Sequence, residues 1–170
     1  MIQAFVALGS NLGGPITQLQ QALQALASCP QVGKLRCSGL VRSPPWDGSA
    51  QPDYYNAVAE LSWQGDEPLD LLQAIQQIET AAGRKRHAEH RNAARTLDLD
   101  LLWFGGIRRD GPRLQLPHPR MLDRAFVMRP LAELAPTLVM ADGRPAAEHA
   151  RRLADQPLTR CDWPPDTHGT

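Results

Sequence analysis

The stretch Arg95-Thr96-Leu97-Asp98-Leu99-Asp100-Leu101-Leu102-Trp103-Phe104 alternates polar and apolar residues through Leu101 and then runs apolar. A period of two is the signature of a β-strand. It puts Thr96, Asp98 and Asp100 on one face and turns Leu97, Leu99 and Leu101 toward a core on the other. The two carboxylates then stand roughly 6.5–7 Å apart along one face, and two unpaired acids that close repel unless a cation lies between them. Magnesium suits such a pair. It takes hard oxygen ligands, and bridging carboxylates can hold two ions at the roughly 3.5–4 Å spacing of phosphoryl-transfer sites. Half-solvated strands also alternate Asp and Leu beside a neutralising Arg, so this stretch by itself leaves both readings open.

A chain of 170 residues has room for one domain with a proper core. We expect that domain to span residues 1–155, with a frayed, Pro-rich and polar tail over 156–170. Eighteen basic and eighteen acidic residues cancel, which removes the positive excess expected of a nucleic-acid or membrane-surface binder. Cys29, Cys37 and Cys161 are an odd number without metal-ligand spacing, which points to free thiols in a reducing compartment, the cytoplasm. No apolar run approaches the length of a membrane span, and the apolar start from Ile2 to Leu8 has no basic leader. A soluble, unexported monomer is expected.

Ile2 to Leu8 predicts a strand, closed by the turn-forming cluster Gly9-Ser10-Asn11 and Gly13-Gly14. Pro15 opens a helix whose Ile16, Leu19, Leu23 and Leu26 share one face, and Pro30 ends it. The glycine-rich turn lacks the GxxxxGK[ST] pattern of a P-loop. Leu35 to Arg42 and Tyr54 to Trp63 predict two more strands, joined by a long Pro- and Gly-rich loop with Trp46 in it. Loops of that length in compact domains are often functional. Pro68 opens a second helix with Leu69, Leu72, Ile75 and Ile78 as its buried stripe, leaving Gln76 and Glu79 off the stripe.

The segment from Arg84 to Arg95 carries five Lys or Arg and has no apolar period. A basic loop leading straight into an acidic strand suits the binding of a metal-bound nucleoside triphosphate. Beyond Phe104, Gly105-Gly106 predicts a hairpin with a short return strand. Pro117-His118-Pro119 fixes a histidine in an extended segment. Short helical turns are expected near Arg124 and Phe126 and from Pro130 to Leu134, with a terminal helix over 146–154.

In this order, "ALGSNLG", "RSPPW" followed by "QPDYYNAV", "RTLDLDLLWFG" and "LPHPRMLDRAFVMRPLAELAP" resemble the 6-hydroxymethyl-7,8-dihydropterin pyrophosphokinases of folate biosynthesis. The resemblance covers Ile2 to about Gly143. It implies an α+β fold, a ferredoxin-like three-layer sandwich around a mainly antiparallel sheet. It also implies transfer of diphosphate from ATP to the pterin hydroxymethyl group, with AMP released. By that resemblance Asp98 and Asp100 hold two Mg2+ ions, and Arg84 and Arg95 reach the phosphates. Arg86, Gln76, Glu79, Arg113, His118 and Arg124 match nucleotide-binding positions. Tyr54 and Phe126 match aromatics that sandwich the pterin, Asn56 its hydrogen-bonding amide, and Ser43, Pro44 and Trp46 the loop around it.

The chain departs from the family at Asn92-Ala93-Ala94-Arg95, where "WGPR" is usual. It lacks the tryptophan that seals the closed loop, and carries Gln115 and Pro119 where Thr and an aromatic are frequent. A weakly active or inactive paralogue that binds pterin or nucleotide, and a metal-dependent nuclease, are the alternatives that these residues leave.

Overall fold

Ile2–Ser10 (β1) is buried on both faces along most of its length, as a strand with a packed layer on each side of its sheet must be. It pairs antiparallel with Tyr54–Trp63 (β4) on one side and Asp98–Phe104 (β5) on the other. The structure, a computed structural model, describes residues 1–45, 47–83 and 97–165. Val32–Cys37 (β2) and Leu40–Ser43 (β3) both pair along the far edge of β4, and Thr159–Cys161 (β8) pairs with β3. The sheet order is β5-β1-β4-β3-β8, with β2 beside β4, and every pairing is antiparallel.

Pro15–Ala27 (α1) and Pro68–Ala81 (α2) cover one face of the sheet, where Leu19, Leu26, Leu71 and Ile75 meet Val6, Leu8, Leu61, Leu99 and Leu101. Ala125–Leu134 (α3) and Ala146–Arg152 (α4) cover the other, where Val127, Met128, Leu131 and Ala146 meet Phe5, Val58 and Leu102. The result is the expected three-layer α+β sandwich.

Strand β5 explains why its alternation stops. Leu97, Leu99, Leu101 and Phe104 pack on the α1/α2 side, whereas Leu102 packs on the α3/α4 side and Trp103 beside it. The register slips there: Val6 faces Leu101 but Phe5 faces Trp103. That is a β-bulge, which turns two successive residues toward one face. The Trp103 ring then meets Phe5 edge-on, with centroids 5.8 Å apart.

Several expectations change. The strand from Leu35 to Arg42 is broken at Ser38-Gly39, where the Glu133 side chain accepts the Gly39 N–H at 3.0 Å. Gly9 and Ser10 belong to β1 rather than to a turn. In α2 the buried residues are Pro68, Leu71, Ile75 and Glu79, one step around from the expected stripe, so Glu79 lies on it. The apolar arc Leu69, Leu71 and Leu72 is broad enough for either orientation, and Leu72 and Ile78 flank the core. Gly105 and Gly106 do turn, with φ of 56° and 77°. The return strand nevertheless pairs elsewhere: Arg109–Asp110 (β6) pairs with Gln115–Leu116 (β7) across the Gly111-Pro112 turn. Met121–Asp123 forms a 3-10 turn, and α3 runs unbroken through Pro130. The proline forfeits one helical hydrogen bond, but the face carrying Val127, Met128 and Leu131 is buried against the sheet.

The tail is also corrected over its described part. Gln156 binds α3, β8 extends the sheet, and the Trp163 indole donates to Ser38 C=O at 2.9 Å. A Pro-rich segment without apolar period can still be held by a few specific contacts. The remaining residues, 166–170, lie outside the described chain.

Candidate active site

Antiparallel register sets Asn56, Gly9 and Asp98 side by side across β4, β1 and β5, and Val58, Ala7 and Asp100 in the next such row. Residues directly opposite share a face, so an amide and two carboxylates stand on the sheet's α3 side. Between them β1 offers only small side chains. A Cβ built on Gly9 would lie 2.6 Å from Asn56 Oδ1, so this glycine lets the amide lean across the strand. The rows form the floor of a cavity of about 490 Å³.

The walls come from three other segments. Ser43 ends β3, Pro44, Pro45, Asp47 and Gln51 belong to the loop after it, and Tyr54 opens β4. The Gln51 amide organises the loop, since its oxygen accepts from Asn11 Nδ2 and from the Tyr54 hydroxyl, both at 3.3 Å. Asn11 also donates to Pro52 C=O at 3.2 Å, which ties the loop to the end of β1. Opposite stand Arg124 and Phe126 at the start of α3, with the Arg124 guanidinium 5.5 Å from the ring centre, within cation–π range. Arg120 and the tail residues Gln156, Pro157 and Leu158 complete the lining.

A protein-family model for 7,8-dihydro-6-hydroxymethylpterin-pyrophosphokinase (HPPK) matches residues 5–136. The chain belongs to the HPPK family. It is 48% identical over 145 residues to the 2-amino-4-hydroxy-6-hydroxymethyldihydropteridine pyrophosphokinase of Pseudomonas aeruginosa, spanning 85% of this chain and 88% of that one. To its counterpart in Haemophilus influenzae it is 39% identical over 160 residues, 94% and 98% of the two chains. Among solved structures, a Plasmodium falciparum HPPK-DHPS A437G chain superposes with a TM-score of 0.68 at 13% identity. That match covers 89% of this chain and 45% of the Plasmodium chain, and it shows the shared fold.

Within this HPPK fold Ser43, Pro44, Tyr54, Asn56, Asp98, Asp100, Arg124 and Phe126 line one cavity. Four expected residues do not. Glu79 is 3% exposed and accepts the Leu99 N–H at 3.3 Å, so it acts on the strand between the two aspartates. Gln76 is half-buried on α2, one turn earlier, and Arg113 is exposed beside the β6-β7 turn. His118 is half-buried. Its backbone N–H donates to Leu102 C=O at 2.8 Å, and its Nδ1 accepts the Arg120 N–H at 3.2 Å. Burial, helped by Arg124 and Arg120 and opposed by Asp98, pulls its pKa down to about 4. The ring is therefore neutral near pH 7, and with Nδ1 accepting, Nε2 carries the proton.

Arg84, Arg86, Arg95 and Trp46 lie outside the described residues, as does the departure at Asn92 to Ala94. Sequence reasoning missed Gly9, Gln51, Arg120 and Gln156. Only Gly9 carries a signal, a glycine directly after an apolar strand run, and that signal equally suits a turn.

Proposed function

We infer that the protein transfers diphosphate from ATP to 6-hydroxymethyl-7,8-dihydropterin, forming the pterin diphosphate and AMP. The observation that carries this reading is the shared cavity: two carboxylates, an amide and two aromatic rings on one sheet face and its rim. The substrate hydroxyl oxygen bonds to the β-phosphorus, the bond from that phosphorus to the α-phosphate oxygen breaks, and the hydroxyl proton is released.

The pterin is assigned to Tyr54 and Phe126, whose rings give a flat heterocycle area and shape. Asn56 offers both a donor and an acceptor to its edge, and Gly9 leaves that amide room. Ser43 and Pro44 line the same cavity, and Trp46 is assigned to the pterin with them on its match to the family. The nucleotide is assigned to Arg124, His118, Arg113, Gln76, Glu79 and Arg86, with Arg84 and Arg95 reaching the transferred phosphates. A neutral His118 donates from Nε2 to a phosphate oxygen without needing a proton from solvent.

Among the described residues no group of three or more His, Cys, Asp or Glu is placed to hold a metal. Two adjacent carboxylates on a cavity floor fit Mg2+, which is commonly bound by one or two carboxylates and completes its shell with phosphate oxygens and water. Asp98 and Asp100 would hold it, and we assign two ions to the pair. When bound, Mg2+ neutralises phosphate oxygens and lowers the proton affinity of the attacking hydroxyl.

Asp98→Ala and Asp100→Ala should each lower turnover by about 10²-fold or more, the scale of other lost electrostatic stabilisers. Pterin binding without nucleotide should hardly change. Near-normal turnover in both variants would overturn the assignment. Zero net charge also argues against a nucleic-acid partner, and three free thiols suit the cytoplasm; we assign a monomer. Cys37 is chemically quiet there, since burial and nearby Glu133 push its pKa up to about 12.

A further inference from the structure

Helix α3 begins without a cap of its own. Its N-cap residue is Arg124, whose side chain makes no capping bond, and a guanidinium has only donors, so it cannot accept a helix N–H. The missing acceptor arrives from 31 residues down the chain. Gln156 Oε1 accepts the Ala125 N–H at 2.9 Å, and Gln156 Nε2 donates to Asp123 C=O at 2.8 Å. One amide thus grips the backbone on both sides of Arg124. Arg124, Phe126 and Gln156 all line the same cavity.

The usual residues at this position, Ser, Thr, Asp or Asn, would cap the helix locally. An arginine there gives up that bond and puts a cation over the Phe126 ring. We propose that Gln156 is a positioning residue for pterin binding: it replaces the cap that Arg124 cannot supply and so fixes the first turn of α3, where Arg124 and Phe126 face the substrate. The C-terminal segment is then part of the site. This rests on the assignment of the pterin to Phe126.

The test compares Gln156→Leu, which keeps the size but removes both bonds, with Gln156→Glu, which keeps the acceptor for Ala125 and loses the donor to Asp123. Full-length protein is assayed with hydroxymethyldihydropterin and MgATP, and hydrogen exchange of the Ala125 amide is followed in parallel. Gln156→Leu should raise KM for the pterin about tenfold, the equivalent of one lost cap. KM for MgATP, which draws on Arg124 as well, should rise by a clearly smaller factor than KM for the pterin, and Ala125 exchange should quicken. Gln156→Glu should recover part of the pterin KM. Equal losses for both substrates, or an unchanged pterin KM in a folded variant, would overturn the proposal. Phe126→Ala, run alongside, separates the two layers. If it raises pterin KM while Gln156→Leu does not, only the role of Gln156 fails; if it too leaves pterin KM unchanged, the pterin assignment itself fails.

Discussion

His118 carries two instructions at once, since its backbone is tied to Leu102 on β5 while its ring accepts from Arg120. Burial and the two arginines hold its pKa near 4 against an ordinary 6.5. An unfolded chain takes up a proton near the ordinary value, whereas the folded one does so only near 4. Lowering the pH between those values therefore favours unfolding, and the loss levels off below the folded pKa. Urea midpoints of the metal-free protein should fall from pH 6.5 to 4, and His118→Gln should flatten part of that slope. An unchanged slope would mean that the ring is charged in the fold. Sequence alone offered the residue type here and nothing of its environment. The same is true of Arg124, whose match to a nucleotide position says nothing of the Phe126 ring beneath it.

At the scale of elements, β5 was legible because its period of two survives from Leu97 to Leu101, and β4 because its bounds coincide with Tyr54 and Trp63. The bulge at Leu102 was not, because an all-apolar run has no phase once both faces are buried. Helix α2 shows the opposite failure. Its apolar residues outnumber one stripe, and the packed face includes a polar contact, Glu79 with Leu99 N–H, which no hydrophobic pattern records. Glu79→Ala should leave that buried N–H without this acceptor and cost about 1–3 kcal/mol. Because Leu99 lies between Asp98 and Asp100, turnover should fall as well while the free pterin still binds. Denaturant titration and steady-state rates check both. A stable, fully active variant would show that the strand holds its place without the helix.

For the whole molecule, the site is assembled from segments far apart in sequence: Ala7 to Gly9 of β1, the loop after β3 with the start of β4, β5, the start of α3 and the tail. The motifs announced the first four, since each carries residues with recognisable chemistry. The tail has no such residue, and its place depends on β8, on Gln156 and on Trp163, which packs against the core and donates to Ser38. Trp163→Ala should therefore destabilise the entire fold by about 2 kcal/mol, half of a fully buried aromatic's loss, and lower Tm by about 4–8 °C. Calorimetry would show a single transition shifting; a separate early melting of the tail would contradict a unified domain. The outer side of β5 has a further consequence. An edge strand is a template for another chain, yet here Leu99 N–H is taken by Glu79 and Leu102 C=O by the His118 N–H. At those two points the ladder is already answered by a helix and by a Pro-flanked loop. Those two bonds blunt the outer edge of the strand that carries the two aspartates as a template for another strand.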